Sequence, residues 1–474
     1  MKRTLNPEFI KSIDALRCLE GGDAACCLID SLQNDEPSVA VRVNPLKGIA
    51  VPGDKRRVEW SRSGVYIDGE RPRFTFDPAL HQGLYYVQDP SSMIIETVVG
   101  ALTAEGRPVV YIDSCAAPGG KTTAAISSLP AGSLVIANEF DRRRAEALVE
   151  NVMKWGSPCV VVTSGDTARF ASLGPIADIV AADVPCSGEG MMRKEEVAVE
   201  QWSPALVQQC ATLQREIIDN MWQALKPGGY FIYSTCTFNR SEDEENVAYI
   251  IDHHGGTPVD LHLSERFAPI AGAIGSNLPV ARFLPGRVDG EGLFLAVLRK
   301  PEEEVAENEG RQRRRKDKER PSAKREAVPD VARWLDGDGY ELRADGDRVI
   351  ALPAAHAQLI KELGRKLNII YAGIEAGTVK GRDVVPSQAL ALSTALRRDA
   401  FPAVDVDYTT ALLYLSRQST TLPDGTPKGI VLLTYAGRPL GFVKNLGNRA
   451  NNLYPAAWAI RSTHLPDSPV NVVS

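Results

Sequence analysis

The chain has 474 residues, 44% of them hydrophobic and 24% charged, with a formal net charge of −6; this is too long for one core and implies two or three domains. No stretch of about 18 residues is apolar and uncharged, and the opening MKRTLNPEFIKSIDALRC carries charge where a secretory signal would be apolar, so neither a membrane span nor an export signal is expected. The eight cysteines are scattered without CxxC spacing, which speaks against zinc and a disulfide framework and points to reduced thiols in the cytoplasm.

In chain order, residues 1–107 carry the apolar run VAVRVNPLK and a basic stretch with Lys55, Arg56, Arg57, Arg62, Arg71 and Arg73. A negative total does not exclude nucleic acid, because phosphate binding needs only a local basic surface. Residues 108–300 alternate strand, loop and helix. VVYID, LVIANE, CVVVTS, DIVAAD and YFIYS are short β-branched or aromatic runs, several apolar on both faces as buried parallel strands are. KTTAAISSL, RRRAEALVENVMK and ALVQQCATLQREIIDNMWQAL read as helices between them, the last stopped by KPGG. The expected fold is α/β, a doubly wound Rossmann-like sheet with ligands at the carboxyl ends of its strands. Residues 301–329, acidic and then basic with almost nothing to pack, read as a solvated linker. The remainder, 330–474, reads as a mixed α/β domain whose end is rich in Gly and Asn around Arg438, Lys444 and Arg449.

The chemistry is expected in the loops after the strands. DSCAAPGGKTT, residues 113–123, is a glycine turn opening a helix, where a ligand can approach backbone N–H groups. A phosphate-binding loop of the form GxxxxGK[ST] would need Gly where Cys115 stands, which disfavours an ATPase. The other reading is a pocket for the amino-acid and ribose parts of a nucleoside cofactor, made by Cys115, Ala116, Ala117, Pro118, Gly119, Gly120 and Lys121. Glu139 ends the second strand at the offset from which a carboxylate reaches a ribose diol. Asp166, after the third strand, is placed to accept from an adenine amino group. The ordered acids Asp113, Glu139, Asp166 and Asp183 at successive strand ends are the pattern of an S-adenosylmethionine site.

Two cysteines follow the next strands, Cys186 in DVPCSGEG and Cys236 in STCTF. Should those strands be neighbours, both thiols converge on one pocket; the residues alone do not rank them. The acidic run after STCTF reads as a helix start capped by Asn239 or Ser241. His253 and His254 read as residues closing that helix rather than metal ligands.

CAAPGGKT, DVPCSGEG and STCTF with its acidic follow-on resemble the motif series of the RNA cytosine-5 methyltransferases of the Nol/Nop/Sun (Fmu) family, and YYVQDPSSM resembles the segment before their catalytic domain. The likeness spans about residues 35–300; Val184 departs from the usual Ala of the Asp-Ala-Pro-Cys motif. GTVKGRDVVPSQALALS and GRPLGFVKNLGNRANNLYPAAWAIR resemble the C-terminal extension, with a PUA-like domain, of RsmF-type bacterial ribosomal RNA methyltransferases. The resemblance implies Cys236 as the nucleophile that adds to carbon-6 of cytosine, and Cys186 as the thiol that assists release. It further implies Asp183 at cytosine N3, Lys121 as a cation beside the thiols, and S-adenosylmethionine as the methyl donor. Residues 1–107 and 330–474 are then RNA-binding regions, and the expected partner is ribosomal RNA or the small ribosomal subunit, with transfer RNA or a catalytically silent assembly factor as alternatives. A monomer without a metal or a membrane is expected.

Overall fold

In the computed structural model the structure describes residues 3–19, 22–302, 331–462 and 464–473. The linker expected over 301–329 therefore lies, from residue 303 onward, outside the described residues.

The five apolar runs form β1 Val110–Asp113, β2 Leu134–Glu139, β3 Val160–Ser164, β4 Ala177–Asp183 and β5 Leu225–Thr235, mutually parallel. Side chains alternate faces along a strand, so both faces of β1 and β2 are apolar. Tyr111, Val135 and Ala137 face one core, and Ile112, Leu134 and Ile136 the other. The first face is covered by α1 (Gly120–Ser128) and α2 (Arg142–Trp155), the second by α3 (Pro204–Ala224) and α4 (Glu244–His254). Two further strands, β6 Val280–Phe283 and β7 Leu293–Arg299, add antiparallel to β5.

The last strand of this sheet comes from beyond the linker. β8, Ile369–Ala372, pairs antiparallel with β3, so the order is β6-β7-β5-β4-β1-β2-β3-β8, with the short strand Thr257–Pro258 beside β7. The sequence offers a stop at KPGG before the fifth strand. In the structure β5 begins at Leu225 and runs through it: Ala177 pairs with Leu225 and Ile179 already with Tyr230, so the Pro-Gly run bulges out of a continuing strand.

Residues 40–43, 64–66 and 85–87 form a three-stranded antiparallel sheet. The helices Pro7–Ser12 and Ala24–Asn34 share a core with Trp202 and Phe238, Phe9 meeting the Trp202 ring edge-on at 5.4 Å. The N-terminal part thus packs directly behind the loops that carry the cysteines. After the linker come two four-stranded sheets. One is formed by Tyr340–Asp345, Arg348–Pro353, Ile374–Lys380 and Asp383–Pro386; the other by Ala403–Val406, Gly429–Tyr435, Arg438–Asn445 and Ala450–Asn452. No described helix is long and apolar enough to cross a membrane.

Candidate active site

β4 and β5 are neighbours, and Asp183 at the end of one pairs with Ser234 at the end of the other. The loops that follow therefore leave the sheet side by side. They bring Cys186 Sγ within 2.8 Å of Cys236 Sγ. The Cys186 thiol is held well above its ordinary pKa, first by this contact with Cys236 and then by burial. The two thiols share one hydrogen bond, in which either sulfur can donate.

Lys121, in the first turn of α1, donates from Nζ to Asp183 Oδ2 at 2.8 Å, while Ser234 Oγ donates to Asp183 Oδ1 at 2.8 Å. Burial works against the Lys121 charge, but Asp183 and then Cys236 outweigh it and its pKa is raised. A permanent cation therefore sits beside the acid and faces the thiol. Beneath them Thr122 Oγ1 donates to Asp113 Oδ2 at 2.7 Å, and burial pushes the Asp113 carboxyl up to about 7.

These groups open on a cleft of about 310 Å³ lined by Asp113, Cys115–Pro118, Gly120, Lys121, Asp183 and Cys236, with Asp89, Lys194 and Glu291 on the opposite wall. The Cys115–Gly120 turn forms its floor. Gly119 lies at φ +108°, and a Cβ there would press on Leu148 at 3.1 Å, so the turn that starts α1 needs glycine. Cys115 is a packed thiol whose pKa burial raises to about 12, which suits a wall and not a nucleophile. Glu139 is buried at the end of β2, where Oε1 accepts from Asp141 N at 3.0 Å and Oε2 from Ala117 N at 3.3 Å. Its carboxylate braces the turn and keeps lone pairs for a diol. Asp166 is exposed and outside this lining, with Oδ1 accepting from Ala168 N at 2.9 Å at the start of the short helix 168–171. A carboxylate-lined cleft suits a sulfonium and an ammonium, and a helix N-terminus suits the methionine carboxylate, so the residues present fit S-adenosylmethionine.

The acidic run after Cys236 differs from its sequence reading. α4 starts only at Glu244, and its cap residue Asp243 makes no side-chain capping bond. Glu242 and Asp243 are fully buried. Glu242 accepts from Ser187 N at 3.0 Å, Gln214 Nε2 at 2.7 Å and Asn239 Nδ2 at 2.9 Å. Glu189, from the Cys186 loop, accepts from Phe238 N at 2.6 Å and Asn239 Nδ2 at 3.0 Å in the Cys236 loop, and from Trp202 Nε1 at 3.0 Å. Two buried carboxylates thus bolt the two cysteine loops together. Burial and then Glu242 push Glu189 up to about 7. Asp243 accepts from Thr235 and Thr237 and pairs with the buried Arg282 at 2.8 Å. The sequence signal for this clamp was present in GEG and EDEE, but charge beside a helix start reads as capping until burial is known.

Two more residues escaped the sequence reading. Gly190 N donates to the Cys236 carbonyl at 2.7 Å, and a Cβ on Gly190 would overlap that carbonyl. Arg42, buried in the N-terminal sheet, donates from Nε to Gln88 Oε1 at 2.7 Å and from its terminal nitrogen to Thr123 Oγ1 at 2.5 Å, and lies 4.3 Å over Trp155. Burial lowers its pKa to about 10, against the opposing pull of Glu96. It ties the N-terminal sheet to the helix that starts at the cofactor turn.

Three family models match in order: the N-terminal domain of 16S rRNA methyltransferase RsmF over residues 5–90, 16S rRNA methyltransferase RsmB/F over 102–299, and the methyltransferase RsmF PUA domain over 401–460. Ribosomal RNA small subunit methyltransferase F of Shewanella amazonensis is 31% identical over 385 residues, 79% of each chain. This chain belongs to the ribosomal RNA small subunit methyltransferase F family. The protein of that name from Escherichia coli O9:H4 is 30% identical over 413 residues, 84% of this chain and 83% of the other. A crystal structure of the protein PH0851 shares the fold at a TM-score of 0.54 and 24% identity, covering 62% of this chain and 66% of that one. The methyltransferase sheet and the PUA region, expected from the sequence, are therefore both present.

Proposed function

We propose that this RNA methyltransferase makes 5-methylcytosine in small-subunit ribosomal RNA through a covalent adduct between Cys236 and the target base. The single observation that carries this reading is the Cys186–Cys236 pair, 2.8 Å apart at the mouth of a carboxylate-lined cleft. Cys236 lines the cleft and is the nucleophile; Cys186 lies behind it.

Carbon-5 of cytosine is too weak a nucleophile to be alkylated directly, so the ring is first activated. The Cys236 thiolate adds to carbon-6, forming a C6–S bond and moving the C5=C6 electron pair onto carbon-5 and the ring. Asp183 stands at N3, and the Lys121 ammonium beside it offsets the negative charge that the ring takes on. The Cys115–Gly120 turn, Asp113 and Glu139 would hold S-adenosylmethionine, which would supply the methyl group to carbon-5 and leave as the neutral thioether. Solvent water then takes the carbon-5 proton, the C–H pair re-forms C5=C6, and the C6–S pair leaves on the Cys236 sulfur. Cys186, still protonated, steadies the departing Cys236 thiolate by hydrogen bonding. The target base has to leave its stack to reach the cleft. Residues 1–107 and 330–474 hold the flanking RNA around the catalytic part 108–300, and the enzyme works as a cytoplasmic monomer.

The test uses two substitutions. Cys236→Ala is expected to abolish methyl transfer while donor binding, read by calorimetry, survives; near-normal activity removes the assignment. Cys186→Ala leaves attack possible and slows release, so a denaturing gel with labelled RNA should gain a slower covalent band. Absence of that band removes the release role.

A further inference from the structure

A second cleft lies where the three parts of the chain meet. It has a volume of 130 Å³ and receives Lys47 from the N-terminal part, with Arg398 and Arg438 from the C-terminal part. Lys47 Nζ donates to the carbonyls of Gln82 at 2.5 Å and Lys154 at 2.6 Å, and Arg438 donates to the Lys47 carbonyl at 2.8 Å. No carboxylate lines the cleft, and among the described residues none of the three cations forms an ion pair. In a chain of net charge −6, three convergent cations without an acid are a positive site left uncompensated by the protein. Burial first, then Arg398 and Arg438, lower the Lys47 pKa to about 7, so an anion in the cleft would favour its charged form.

A third cleft lies between this region and the active site. Tyr86 and Val87 line both the active cleft and an intermediate cleft of 220 Å³, whose far wall is Lys154, the residue whose carbonyl takes the Lys47 ammonium. We infer that Lys47, Arg398 and Arg438 form a seat for a backbone phosphodiester of the RNA strand that flanks the target base. The inference rests on the RNA reading of the active site and names where that RNA is gripped. A phosphate there would join the N-terminal part, the catalytic sheet and the PUA-containing part around one anion.

Arg398 is exposed and in no ion pair among the described residues, so Arg398→Gln removes a phosphate contact without opening the core. With 16S ribosomal RNA as probe, its affinity at roughly 0.1 M KCl is expected to fall about tenfold. The slope of log affinity against log salt should become shallower by about one. Arg398→Lys should restore the slope, and Arg398→Gln with Arg438→Gln should flatten it further. Wild-type affinity and slope in both glutamine variants would overturn the seat. So would a melting shift with inorganic phosphate that Arg398→Gln abolishes while its RNA slope stays unchanged, since the cleft would then take free phosphate. Wild-type protein that neither binds this RNA nor transfers a methyl group to it refutes the RNA reading itself, a result distinct from failure of the seat.

Discussion

Asp113 carries a cost that depends on pH. Its carboxyl is buried at the end of β1, and burial, opposed by the Thr122 hydrogen bond and reinforced by Asp183, raises its pKa to about 7. A carboxyl whose folded pKa exceeds its unfolded value binds a proton on folding. Its favourable contribution is complete below the unfolded pKa near 4 and is lost as pH rises through about 7. Asp113→Asn lacks that loss, so its urea midpoint should decline less than that of the wild type between about pH 5 and pH 8. Parallel declines would show that Asp113 does not titrate in this window. At this scale the sequence was informative where a residue type carries chemistry: the two cysteines, Lys121, Asp183 and the glycine turn are placed together at the strand ends. It was silent where burial defines the role. Nothing local distinguishes Arg42 from the surface arginines, because its partners Gln88 and Thr123 lie 46 and 81 residues away.

The two cysteine loops behave as one element, because Glu189 of the Cys186 loop accepts from the Cys236 loop and Glu242 accepts from both. Gly190 is the point of closest approach, its N–H on the Cys236 carbonyl and its α-carbon facing the same group. Gly190→Ala must push that backbone aside. A displacement of about 1 Å in a reacting group can cost on the order of 100-fold in rate. The variant should therefore lose about that factor in kcat while its affinity for S-adenosylmethionine, set by the α1 turn, stays unchanged. Equal weakening of donor binding would mean the whole cleft had shifted. Element types were largely legible because the apolar runs were short and bounded by Gly and Pro. KPGG does mark the end of α3, which stops at Ala224, but that β5 already runs through it is decided only by pairing with β4. The acidic start of α4 was legible only in part: Glu244 and Glu245 open the helix and Asn239 Oδ1 accepts from Glu242 N at 3.0 Å, but the burial of Glu242 and Asp243 has no local mark.

At the scale of the whole molecule, β8 closes the catalytic sheet with a strand from residues 369–372. Helix Ala357–Leu363, just before it, buries Ile360 and Leu363 in the same core as β1 and β4. A chain ending at residue 302 would leave the β3 edge unpaired and that core uncovered, and open edges recruit other chains. Such a fragment should elute as aggregates in size-exclusion chromatography under conditions where the full chain does not; an active, monodisperse fragment would show that the C-terminal part is dispensable to the sheet. Nothing in the sequence marks this crossing. Ile-Ile-Tyr-Ala is a short apolar run like many others, and a strand's partner across roughly 200 residues has no local mark.

The same edge sets a timetable during synthesis. β3 leaves the ribosome about 200 residues before its partner β8. At roughly 5–20 residues per second, translation leaves that edge bare for about 10–40 s. Through that interval the nascent polypeptide must be shielded by the ribosome surface or by a holding factor, which makes elongation speed through the charged connector a determinant of yield.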